Sequence, residues 1–261
     1  MELQAHEESR EALAPSRPRF TDVVSDLRDL AITSFDVPLD RLASLLPRGI
    51  DAERFDAGEG PFGLVSAVSF RNLDFHVGFA PFVRIDAAQT NFRAYVRVRG
   101  VSSIYFFGTS FGSRTVILPR AVWGLPWRYA THAIDCAFDA EGRCRRFSFH
   151  ATSAFGEERL EATGTGTALT TVRGFRDEAT TRRVLADPTI GYVRTRRGTT
   201  ATYGVDHPPL DLERADVTAS RFELFETLGL VRPGQAPSSV YLCPSSRFVV
   251  RLPPRRISLD D

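Results

Sequence analysis

Lysine is absent from this 261-residue chain: all 33 of its basic residues are arginine. Arginine keeps its proton in any ordinary protein environment, so it serves neither as an amine nucleophile nor as an ordinary general base. Imine chemistry on a side-chain amine is thereby excluded, and the α-amine of Met1 is the one primary amine left. Cysteine is scarce. Cys136, Cys144 and Cys243 are odd in number and show no metal-ligand spacing, which predicts buried free thiols in a cytoplasmic protein and no metal site. A dominant sign of charge is also missing, since 33 basic against 32 acidic residues leave a net charge of +1. A dedicated nucleic-acid binder normally shows a basic excess or patch. No apolar run approaches membrane-spanning length, and the polar opening MELQAHEESREALAPSRPR is no secretory signal. There is no Gly-x-Ser-x-Gly elbow, no internal repeat and no phosphate loop; GTGTALT (164–170) lacks the strand–turn–helix context of one.

What is present is apolar and aromatic. The 43% hydrophobic content, with 20 phenylalanines, is ample for a sizeable core. Residues 1–20 are charged and Pro-broken and read as a flexible arm, followed by a single domain over 21–261. Residues 22–30 fit a strand or a helix. Asp40, Leu42, Leu45 and Leu46, stopped by Pro47 and Gly49, predict a short helix. NFRAYVRVR (91–99) alternates with period two: Phe92, Ala94, Val96 and Val98 share one face, and Asn91, Arg93, Tyr95, Arg97 and Arg99 the other. Gly100 then turns the chain into SIYFFGTSF, an antiparallel hairpin. A short helix spans RTVILPRAVWG. Further hairpins are expected around DAEGRC and Gly198, and helices over 177–187 and 220–230, the last capped by Ser220 with Glu223 and ended by Gly229. Many strands, few short helices and no βαβ alternation predict an α+β domain on antiparallel sheet, with a barrel as the expected form.

The ordered run VPLDRLASLLPRGIDAERF, NFRAYVRV, SIYFFGT, VWGLPWRYA, DHPPLDL and LFETLGL resembles the family called domain of unknown function 2071, of the acetoacetate decarboxylase-like superfamily. The resemblance runs from about residue 30 to the C-terminus. It implies a cone-shaped antiparallel β-barrel enclosing a small-molecule cavity, usually in a homo-oligomer. In true acetoacetate decarboxylases the Gly-x-Pro turn is followed by two lysines, the first of which forms a Schiff base. Here Gly124-Leu125-Pro126 is followed by Trp127 and Arg128, so an indole stands in the nucleophile's place. Where the decarboxylases carry a pocket glutamate, this chain has Arg93, a planar cation suited to carboxylates, phosphates or enolates. The aspartate expected after the YFF motif is replaced by Thr109-Ser110.

These residues define the candidates. Arg93, Asn91, Trp127 and Arg128 are expected to bind substrate, and Tyr95, His132 and His207 to move a proton. Each has a plainer reading. Trp127 either floors a pocket or plugs the cavity. Arg128 is either a pocket cation or half of an ion pair, and strict alternation sets it on the face opposite Trp127. His132 shares Arg128's face, with His150 on the partner strand as a facing histidine. His207 in His-Pro-Pro positions a loop or serves as a base, and His76 lies in a loop-like stretch that could act as a lid. Glu157-Glu158 reads as a solvated turn, and Asp135 as the partner of an arginine. The expected function is a small-molecule enzyme without Schiff-base chemistry and without a cofactor. It would be a lyase, isomerase or cyclase for a carbonyl- or carboxylate-bearing metabolite. A binding protein without turnover and a structural module with a filled barrel are the alternatives.

Overall fold

Period-two alternation carries most of the chain into strands. The computed structural model describes residues 17–259. In chain order these are β1 (Val23–Pro38), α1 (Leu39–Leu45), β2 (Asp51–Ala52), β3 (Phe55–Asp56), β4 (Pro61–Val77), β5 (Ile85–Val98) and β6 (Val101–Phe111). A 3-10 turn (Arg114–Val116) leads to α2 (Ile117–Val122), β7 (Trp127–Phe138), β8 (Cys144–Ser153), β9 (Gly156–Ala168) and α3 (Glu178–Leu185). Then come β10 (Ile190–Arg194), β11 (Thr200–Asp206), β12 (Glu213–Phe222), α4 (Glu223–Thr227), β13 (Ser239–Val250) and β14 (Arg255–Ile257). The chain is mostly sheet with a few short helices.

All the strands join one sheet, and its pairings return on themselves. Following β6–β7–β8–β9–β12–β13–β1–β4–β5, and then β5 back to β6, completes a circuit of nine strands. The β10–β11 hairpin links β6 to β13 and completes a second circuit that shares β13, β1, β4, β5 and β6. Two cores follow from this. One fills the nine-strand circuit with residues such as Phe35, Phe92, Phe147, Phe149, Leu160 and Phe225. The other lies on the opposite face of the shared strands, roofed by α3, β10 and β11, and includes Leu30, Ile32, Tyr95, Phe106, Leu185 and Tyr241.

Several expectations are corrected. The helix foreseen over 220–230 is only Glu223–Thr227, because Ser220 pairs with Leu160 in the β9–β12 ladder and its hydroxyl caps nothing. The ladder recovers more backbone hydrogen bonds than a cap would. Gly229 ends the turn with φ of 67° as expected. Cys136 and Cys144 form a disulfide across the β7–β8 hairpin, so among the three cysteines only Cys243 is a free, buried thiol. His76 is on β4 and not in a loop. Of the expected arm, residues 1–16 lie outside the described residues, while Arg19 is held by Asp22 through a 2.9 Å ion pair.

Phe225 is fully buried and its ring meets Phe35 and Phe92 edge-on. Phe225→Ala should therefore cost about 3–5 kcal/mol in chemical denaturation. Phe82→Ala, at a site 82% exposed, should stay within about 0.5 kcal/mol of wild type.

Candidate functional site

On β5 the alternation predicted from sequence holds, but between residues 89 and 96 both faces are buried except at the partly exposed Asn91. Arg93 is 9% exposed and Tyr95 is fully buried. Arg93 Nη2 donates to Tyr95 Oη at 3.0 Å and to the carbonyl of Leu185 at 2.7 Å. That carbonyl ends α3, where helical acceptors have no partner in the helix. Arg93 Nε is buried and bonded to nothing, and no carboxylate pairs with this guanidinium among the described residues. The register sets Ser66 opposite Arg93 and Ser34 opposite Ser66. Their hydroxyls form a chain, Ser34 to Ser66 and Ser66 to Tyr95, each step 2.8 Å.

Along the same face, Asn91 opposes Thr109, and Thr109 opposes Trp127 across the parallel β6–β7 pairing. Thr109 donates to Asn91 Oδ1 at 2.9 Å. The Trp127 ring packs 5.5 Å from Phe111 against the second core and is half-buried. His207 is 3% exposed and stacks on Phe248 at 4.4 Å. Burial pushes its imidazole below the usual histidine range, and the Arg93 charge pushes the same way, so its neutral form is favoured. Asn91, Arg93, Tyr95, Trp127 and His207 thus belong to one interior. A groove of about 620 Å³ lies where β12 and β13 splay apart, lined in part by Ser239 and Tyr241. Ser239 stands in register with Ser34, at the start of the hydroxyl chain.

Arg128 and His132 are not part of that interior. They point into the nine-strand circuit, as alternation requires. Arg128 lies opposite Ser110, and its guanidinium rests 5.8 Å from the centre of the Phe155 ring. Gly108 makes room for this ring, since a Cβ there would strike it. Ser110 Oγ lies 3.3 Å from His132 Nε2 and donates to Glu158 Oε2 at 3.2 Å. Glu158 is the residue that sequence reasoning missed. Expected in a solvated turn, it is 0% exposed. Burial pushes its carboxyl up to about 7 against the pull of the Thr90, Ser110 and Ser153 hydroxyls, and pushes His132 down to about 4. His150 does not face His132; it turns outward to Glu157 at 3.6 Å. Asp135 pairs with Arg146 at 3.1 Å, as expected. Among the described residues no cluster of three or more His, Cys, Asp or Glu could hold a metal, and no helix is long and apolar enough to cross a membrane.

The fold is mostly sheet and is similar to that of acetoacetate decarboxylase-like proteins. The family model for DUF2071, described as an uncharacterized conserved protein, matches residues 25–247, and the chain belongs to that family. No protein of curated function matches it by sequence. Among solved structures it is similar to the enduracididine biosynthesis enzyme MppR, complexed with the condensation product of pyruvate and imidazole 4-carboxaldehyde. That likeness has a TM-score of 0.61 at 11% identity, over 94% of this chain and 92% of that one. Acetoacetate decarboxylase from Legionella pneumophila matches with a TM-score of 0.59 at 11% identity, over 97% and 95%. An acetoacetate decarboxylase-like enzyme from Sphingomonas wittichii RW1 gives 0.56 at 9% identity, over 92% and 94%.

The buried pair Glu158–His132 makes a signed pH prediction. A carboxyl whose folded pKa is raised from 4.5 to about 7 loses stability as pH rises between those values. A histidine lowered from 6.5 to about 4 gains stability as pH rises over its own range, and the two slopes oppose. Glu158→Gln removes only the first. Its stability relative to wild type should rise by on the order of 3 kcal/mol between pH 5 and pH 8, measured by urea denaturation.

Proposed function

We propose that this chain is a small-molecule enzyme that uses an acetoacetate decarboxylase-like, cone-shaped barrel without Schiff-base chemistry. Its substrate would be a carboxylate that also bears a carbonyl. One observation carries the reading: Arg93 holds a buried guanidinium with no carboxylate partner and an unbonded Nε, on a face shared with Asn91, Tyr95 and Trp127. A buried cation normally needs an anion, and a ligand carboxylate would supply it. Asn91 and Thr109 offer groups that can orient the carbonyl. Tyr95, in line with the Ser66 and Ser34 hydroxyls, can pass a proton to a developing enolate, with neutral His207 as the alternative base. The groove lined in part by Ser239 lies beside Ser34, at the far end of that hydroxyl chain. The binding of pyruvate-derived ligands by MppR supports the ligand class by analogy of fold alone. The reaction type, of lyase, isomerase or cyclase kind, a cytoplasmic setting, the single-domain organisation and a homo-oligomeric assembly belong to the same reading.

A structural role is favoured by one contact: Arg93 already caps α3 through the Leu185 carbonyl. Calorimetric titration with a panel of 2-oxo and 3-oxo acids separates the two. Saturable binding that falls roughly 10- to 100-fold in Arg93→Lys, with folding retained, supports the ligand role. Equal affinity in the variant leaves Arg93 as a cap only. Product formation followed by NMR then separates an enzyme from a binding protein. Reductive trapping with borohydride should leave the wild type unlabelled, whereas Trp127→Lys should be labelled by acetoacetate if that position corresponds to the decarboxylase nucleophile.

A further inference from the structure

Six consecutive strands each turn one polar side chain onto a single patch of the nine-strand interior. These are Ser69 on β4, Thr90 on β5, Ser110 on β6, His132 on β7, Ser153 on β8 and Glu158 on β9. The register makes them neighbours: Ser69 opposes Thr90, Thr90 opposes Ser110, and Ala151 stands between His132 and Glu158. The rest of that inward surface is largely apolar core. Polar groups in such a place are costly unless each finds a partner. The hydroxyls do: Ser69 and Thr90 lie 3.1 Å apart, and Ser110 donates to Glu158. Two atoms do not, Glu158 Oε1 and His132 Nδ1, both buried and unbonded.

Proton counting says what those two atoms need. With Glu158 ionised, Ser110 gives its single hydroxyl proton to that carboxylate, so His132 Nε2 is the donor in its 3.3 Å contact with Ser110. His132 Nδ1 then carries a bare lone pair. Both unbonded atoms are acceptors, and both call for N–H donors. An ammonium group brings three donors and the positive charge that this buried carboxyl lacks. Arg128, opposite Ser110 on the same inward face, has no carboxylate partner among the described residues. We infer that this patch is a second ligand site, which takes a small amino acid. The ammonium sits on Glu158 and His132, and the carboxylate turns toward Arg128.

This site is independent of the surroundings of Arg93, because it occupies the other face of β5 and β6. The test is calorimetric titration with glycine, alanine and leucine, each against its deaminated counterpart: acetate, propionate and 4-methylpentanoate. Binding of at least one amino acid about 10-fold or more tighter than its counterpart is expected, with that advantage lost in the near-isosteric Glu158→Gln. His132→Gln, which withdraws the Nδ1 acceptor, should weaken the same ligand and serves if Glu158→Gln does not fold. Oxo-acid binding through Arg93 should persist in Glu158→Gln, so failure of one site is distinguishable from failure of the other. The inference is overturned if no amino acid binds more tightly than about 10 mM, if the deaminated acids bind equally well, or if both variants keep the wild-type affinity.

Discussion

β5 and β6 belong to both hydrogen-bonded circuits, so over most of their length both faces look into an interior rather than at water. The rest of the molecule depends on this constraint. In an ordinary half-exposed strand, a period-two pattern sorts apolar residues inward and polar residues out. Here the polar residues Gln89 and Arg93 are buried as well and Asn91 is partly so, and each needs a partner from within the protein or from a ligand. The protein satisfies most of the demand itself. Asn72 donates to Gln89 Oε1 at 3.0 Å, Gln89 to Asn91 at 2.8 Å and Thr109 to Asn91 at 2.9 Å. Among the buried polar atoms it leaves without a partner are Arg93 Nε on one side and Glu158 Oε1 and His132 Nδ1 on the other.

Much of the fold was legible because alternation is a strong signal where one face is aromatic and the other charged. NFRAYVRV gave the faces of β5 and its hairpin with β6 correctly. Strict alternation also foretold that Trp127 and Arg128 would part company, and they do. The expected site nevertheless grouped them as substrate-binding residues. The Gly-x-Pro turn remains outside β7, and the two side chains enter different interiors.

Other parts were hidden by local chemistry that mimics something else. Ser220-Arg-Phe-Glu223 has the spacing of a capping box, yet the β9–β12 ladder claims Ser220. Glu157-Glu158-Arg159 looks solvated because it is charged throughout. Its parity held the signal: Glu158 lies two residues before Leu160 and four before Ala162, both of which are core residues. Read as a strand, the stretch places Glu158 inside and Glu157 and Arg159 outside. Which strand would close against which was not in the sequence, since it depends on pairings between residues far apart in the chain, such as Glu213 with Leu242.

The central claim is that Arg93 is kept inside the fold for a ligand's carboxylate. A crystal structure grown in the presence of pyruvate tests it most directly. The account predicts a carboxylate within hydrogen-bonding distance of Arg93 Nε, with its carbonyl toward Asn91 or Tyr95. Density for a protein group or nothing at that nitrogen, with the ligand elsewhere or unbound, would contradict it.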